Sequence, residues 1–174
     1  MESLVTLMLV GLVFGAVMAL LNSGLRIFRD TNQRDEAAQA ASVALDRLVC
    51  ELREATQVST PGPPPGVSNG QIEFIKADLS NPLRIPGSGL PNASWNGPAF
   101  FLMVRYRFDS GRYLLRDVGV QQSGSYSETS QLADQVSGLK CTCRGQGVYA
   151  VELSVRYREV VKTHCGTVLC PVLR

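Results

Sequence analysis

The chain has 174 residues and a formal net charge of +2, room for one domain plus an anchor. Its 17 Lys and Arg are scattered rather than clustered, which removes the electrostatic case for nucleic acid as a main partner. Five cysteines, four of them late in the chain, accompany an apolar N-terminus and point to an oxidising compartment beyond a membrane.

Residues 1–25 carry one charge, Glu2, and from Ser3 to Leu25 there is none. A bilayer core takes about 20 apolar residues as a helix, so this run is long enough to span. A cleaved secretory signal needs a basic start, a shorter apolar core and a small-residue cleavage site, and the pattern here reads instead as a retained helix. Gly11 and Gly15 form a G-x-x-x-G that permits close helix approach, although glycine is also common in membrane helices generally. Glu2 reads on its own as an interfacial carboxylate favoured by a helix N-terminus.

Residues 26–58 continue as an amphipathic helix. Ala41, Leu45, Leu48, Leu52 and Ala55 recur at spacings of three and four and make one apolar stripe. Asp30/Arg34 and Arg47/Glu51 sit four apart on the polar sides. The absence of proline before Pro61 predicts one helix from Glu2 to Val58, with Cys50 inside it as a buried free thiol.

Residues 59–174 read as a β-rich head. Pro61 to Gly66 is a stiff connector, Gln71 to Ile75 alternates as a strand, and residues 80–98 form a long loop. Phe100 to Phe108 and Arg112 to Val118 flank Asp109-Ser110-Gly111 and predict a hairpin. The turn explains those three residues better than a calcium-loop fragment does. Residues 119–131 read as loop, Leu132 to Leu139 as a short helix or strand, and Val148 to Val161 as one half-buried strand. A last strand is expected between Thr163 and Leu173.

Four late cysteines, Cys141, Cys143, Cys165 and Cys170, are disulfide candidates. Cys141 and Cys143 are too close to pair with each other, so crossing to Cys165 and Cys170 is the natural framework, with the connectivity open. Zinc with His164 is disfavoured because C-x-C and C-x4-C are not ribbon or finger spacings, so no metal and no cofactor is expected. One His, no nucleophile elbow, no G-x-G-x-x-G and no paired carboxylates argue against an enzyme.

At this point the chain resembles the type IV pilin-like proteins, and within them the minor pilins and pseudopilins. Glu2-Ser3-Leu4-Val5-Thr6-Leu7 and Gly11, nine residues after the Glu, carry that resemblance. Ala44-Leu45-Asp46-Arg47-Leu48 and Glu51-Leu52-Arg53-Glu54-Ala55 are similar to the second helical half of the pseudopilin J and pilus-assembly minor pilin group. Arg105 to Phe108, Arg112 to Arg116 and Leu132 to Val136 are similar to its head pattern.

The resemblance implies an α+β pilin fold, a long N-terminal helix packed against a small antiparallel sheet. It implies a single pass through a bacterial inner membrane, with the head in the periplasm or outside as part of a filament. The implied role is structural: initiating or capping a type IV pilus or a type II secretion pseudopilus. Lipid is the partner before assembly; other minor pilins or pseudopilins, the major subunit and the inner-membrane assembly platform are partners afterwards. In the family the early carboxylate, here Glu2, neutralises a neighbour's N-terminal amine. The family's basic leader ending in Gly and its first mature residue do not precede Glu2, which reads as a truncated start. Ala19 stands where major subunits often have Pro, which fits a minor subunit. The alternative from another class is a single-pass, membrane-anchored extracytoplasmic ligand-binding or sensor domain.

Overall fold

A run of helix formers without proline lets one helix persist through two kinds of surroundings. The computed structural model describes residues 2–60, 66, 68–78, 101–145 and 147–170. Helix α1 runs Glu2–Arg53, and the chain divides into two compact units, Met1–Glu36 and Ala37–Arg174.

In the first unit the described side chains from Leu7 to Phe28 are exposed on every side of the helix. It is long and apolar enough to cross a membrane. In the second unit one helical stripe is buried: Ala37, Ala41, Ala44, Leu45, Leu48 and Leu52, as the spacing predicts.

The helix ends at Arg53 rather than Val58. Glu54 closes the last turn with its N–H on the Glu51 carbonyl, and β1 (Ala55–Thr60) begins at once. Thr56, Val58 and Thr60 are β-branched, and the strand offered by residues 71–77 gives their backbone groups partners, so sheet pairing outweighs continued helix there. Ala55 stays in the core, but as a strand residue.

The rest of the second unit is two antiparallel sheets where one small sheet was expected. After β2 (Ser68–Asn69) come β3 (Gln71–Ala77), β4 (Phe101–Asp109), β5 (Tyr113–Val120), β6 (Glu128–Ala133), β7 (Val136–Gly145), β8 (Val148–Tyr157) and β9 (Val160–Leu169). One sheet has the order β1-β3-β4-β5-β6 and the other β2-β7-β8-β9. The coarse class is therefore α+β. The hairpin around Asp109-Ser110-Gly111 is present, with Arg112 taking a left-handed φ of 70° to close it.

Two expectations are corrected, and for a third, one of its two alternatives holds, the strand leading into Cys141. The alternating stretch 148–161 is not one strand; Arg158, at φ 52°, and Glu159 turn the chain, and β9 starts at Val160. Residues 119–131 are only partly loop, because a 3-10 turn at Gln121–Ser123 leads back into β6. Leu132 to Leu139 contains no helix; it joins the end of β6 to the start of β7 through a turn in which Gln135 has φ 54°. The connector at 61–65, the loop at 80–98 and the end of the tail lie outside the described residues.

One core joins helix and sheets. Leu48 and Leu52 share it with Phe74, Val104, Tyr106 and Leu114 from the first sheet and with Val136, Val151, Leu153 and Val168 from the second. Gly119 shows why a side chain is missing at one spot: a Cβ there would run into the Ser125 backbone, which crosses directly over it.

Candidate functional site

The residues singled out in the sequence fall into two groups. Glu2 is the first residue of α1, and its side chain lies outside the described residues. Gly11 and Gly15 lie on the exposed part of the helix, where an added Cβ at either would meet nothing within 4 Å. That open surface leaves room for another helix or for lipid.

The cysteines are all free thiols, so the expected disulfide framework is not formed in this structure. Cys141, Cys143 and Cys170 are buried, while Cys165 is exposed and so does not share their surroundings. The reason is strand alternation: Cys165 stands opposite Glu152, and the residues on either side of it in β9, His164 and Gly166, stand opposite core residues Leu153 and Val151. Burial pushes the Cys141 thiol up to about 12 and the Cys170 thiol to about 11, the latter with the Cys143 sulfur contributing. Cys170 donates to the Leu52 carbonyl at 3.1 Å, satisfying one of the acceptors left open at the end of α1. Cys50 is free as expected but exposed, not buried. Among the described residues no cluster of His, Cys, Asp and Glu could hold a metal.

A feature that sequence reasoning missed joins α1 to the first sheet. The i,i+4 spacing places Glu51 on the polar side of the helix with Arg47; the Arg47 Nε contact exists at 3.5 Å, but Glu51 is buried. Arg116 grips it with both arms of its guanidinium, Nη2 to Oε1 at 2.8 Å and Nε to Oε2 at 3.1 Å. The Tyr106 hydroxyl donates to Oε2 at 3.0 Å, and the Lys76 ammonium stands 3.8 Å from Oε1. Burial alone would raise the Glu51 carboxyl, but the Arg116 hydrogen bond and the Lys76 and Arg116 charges outweigh it and hold the group below its ordinary value. Burial and the Glu51 charge push the Tyr106 hydroxyl well above the usual tyrosine range.

A second cluster lies back to back with the first. Tyr106 stands opposite Arg116, and Arg105 opposite Asp117, so strand alternation sends the two pairs to opposite faces of one sheet. Asp117, only 1% exposed, accepts from Arg105 Nη2 at 2.7 Å, Arg107 Nε at 2.9 Å and Thr129 Oγ1 at 2.8 Å. Burial again opposes ionisation, and the Arg107, Thr129 and Arg105 hydrogen bonds win, so the carboxyl is held below its ordinary value. The Arg105 guanidinium also lies 4.1 Å from the centre of the Tyr126 ring. The signal that could have found both clusters is the alternation Arg105-Tyr106-Arg107 opposite Arg116-Asp117, with Glu51 flanked by Leu48 and Leu52 in the apolar stripe.

Chemically these clusters are joints. Glu51 and Asp117 are held ionised and Tyr106 protonated, so none is poised to exchange a proton near neutral pH. A buried ion pair is weak evidence of raw stability, and the bidentate geometry makes this one directional. Comparison with protein-family models, with curated proteins and with solved structures finds no match.

Proposed function

We propose that the chain is a pilin-like structural subunit, a minor pilin or pseudopilin that primes or caps a type IV pilus or type II secretion pseudopilus. The observation that carries this reading is the split character of α1. From Leu7 to Phe28 it exposes Leu, Val, Met and Phe all round, with Leu7, Leu12 and Leu20 each at least 74% exposed. From Ala37 it is buried on one stripe only, against the sheets. An all-round apolar helix is unstable in water and needs lipid or other helices. A subunit stored in a membrane and then transferred into a bundle of sister helices has use for both environments.

In that reading the head sits in the periplasm or outside the cell, and the Glu51 joint ties the first sheet to the C-terminal part of α1. Gly11 and Gly15 allow neighbouring helices to approach, and Glu2 pairs with a neighbour's N-terminal amine, because an unpaired carboxylate in an apolar bundle is costly. The partners are the other minor subunits, the major subunit, the assembly platform and, before assembly, lipid.

Glu2→Ala tests this in cells. Filament incorporation should be lost while the chain still fractionates with the membrane. Normal incorporation of the variant would overturn the pairing role. A wild-type chain that is exported and anchored but never recovered in sheared filaments would favour the anchored binding domain instead.

A further inference from the structure

Sheets protect their outermost strands with bulges, charges, proline or short length. Three of the four outer strands here follow that practice. The β1 pairing shifts twice, the β6 pairing shifts once, and β2 has two residues. β9 is different. It carries ten consecutive pairs with β8 and no shift, and among the described residues nothing pairs with its other side.

The phase of that ladder decides what the open side offers. The Cys170 N–H donates to the Gly147 carbonyl at 2.8 Å, in the same register as the pairs that follow it. Hydrogen-bonded and non-bonded pairs alternate in an antiparallel ladder, so the even-numbered residues of β9 bond to β8. The odd-numbered ones, Val161, Thr163, Cys165, Thr167 and Leu169, turn their N–H and C=O groups to the open side. All five are also exposed. Their order (apolar, Thr, Cys, Thr, apolar) reads the same from either end.

We infer that the open edge of β9 is a homophilic docking site, at which two copies of this chain pair antiparallel about Cys165. That register sets Cys165 opposite its own copy, Thr163 opposite Thr167 and Val161 opposite Leu169, the same patch serving both partners. The one charge on the strand does not oppose it. The two Lys162 ammoniums fall six residues apart along the paired strands, about 20 Å, which is beyond the screening length at physiological salt. The Cys165 pair would be a hydrogen-bonded one with Cα atoms about 5.5 Å apart, a spacing a disulfide can bridge.

The pairing also has a direction. Leu45 and Val49 lie at Gly166 while Leu52 meets Cys170, so this part of α1 runs in the same sense as β9. The two-fold that reverses β9 reverses the helix, and the two copies enter their heads from opposite ends. The pairing goes beyond the filament reading and does not rest on it.

The test uses the full chain in non-ionic micelles with Cys50→Ser, which removes the other exposed thiol. Copper-phenanthroline in air, with dioxygen taking the two electrons and two protons, should give a covalent dimer that Cys165→Ser abolishes. Thr163→Pro removes an outward N–H without touching the β8 ladder and should abolish it as well. Register is read in Cys50→Ser, Cys165→Ser chains carrying either Thr163→Cys or Thr167→Cys. Each alone should stay monomeric, and the mixture should cross-link. Thr163→Cys chains that link to one another as readily as the mixture, or a mixture that gives no dimer, would overturn the inference. The mixture arm decides the matter even if the proline variant fails to fold.

Discussion

The two stretches of α1 differ both in composition and in what surrounds them. Leu7 to Phe28 has apolar side chains all round and no partner among the described residues; Ala37 to Arg53 has a stripe of Ala and Leu and a whole core on it. In the first stretch, identity of individual residues matters little as long as the surface stays apolar, since lipid or a sister helix reads only character. In the second, position is everything. Leu48 and Leu52 are fully buried, and Glu51 between them meets Arg116, Lys76 and Tyr106 from the first sheet at fixed places. The same helix thus carries a tolerant half and an intolerant half, and substitutions should separate them.

The largest effect is expected from Glu51→Ala. It leaves the Arg116 guanidinium facing the core without its carboxylate, while Lys76 keeps Glu54 at 3.1 Å. Breaking a buried pair on one side costs about 3–5 kcal/mol. In micelles, the urea midpoint of the head should fall by the corresponding amount with little change in slope. A loss under about 1 kcal/mol would mean that water reaches the cluster and the joint is loose.

Phe14→Arg addresses the other half. A guanidinium near the middle of a spanning helix costs about 2.5–3.5 kcal/mol at insertion, so the membrane-bound fraction should drop. The urea midpoint of the head should not move. Phe14→Leu should change neither. If Phe14→Arg destabilises the head, the two halves are not independent.

Tyr106→Phe should cost less than either. It removes one donor to an ionised carboxylate, but Arg116 and Lys76 remain, so about 1–2 kcal/mol is expected. The ring, stacked on Phe74 with centroids 6.2 Å apart, stays in place.

How much of this was legible differs by half in the same way. The apolar run and the stripe at 41, 45, 48 and 52 depend on residue type at a helical period, and one chain suffices to read them. The strand at 71–75 and the hairpin of 100–108 with 112–118 follow from alternation and a turn, and the structure shifts their ends by one or two residues. What escaped depended on contacts distant in sequence. The helical pattern runs five residues past the end of α1 because Ala55 and Val58 fit either period, and only the presence of β3 decides for strand. Arg158 and Glu159 carry no glycine or proline, so the turn between β8 and β9 left no mark. Glu51 looked like half of an exposed pair with Arg47 because its true partner, Arg116, is 65 residues away. The cysteines suggested a framework by their number and lateness, and strand parity put Cys165 apart from the other three.

The gentlest way to separate the halves changes no residue. The first half has no described titratable side chain from Leu7 to Leu25, so acid should leave its membrane association alone. The head behaves otherwise, and the sign follows from the two depressed carboxyls. Glu51 and Asp117 sit below their ordinary values of 4.5 and 3.8 in the folded chain and near those values when it unfolds. Above about pH 5 both are ionised in both states and their contribution is fully present. As the pH falls through 4.5 and then 3.8, the unfolded chain takes up protons first, and the contribution drains away until the folded carboxyls protonate as well. The urea midpoint should therefore be flat from neutral pH down to about 5 and fall below it. Glu51→Gln removes one of the two protons involved, so its midpoint should start lower at neutral pH and decline less steeply on the acid side. Equal acid slopes in the two proteins would mean that Arg116, Lys76 and Tyr106 do not hold the Glu51 carboxyl down, and that the joint derives its order from packing alone.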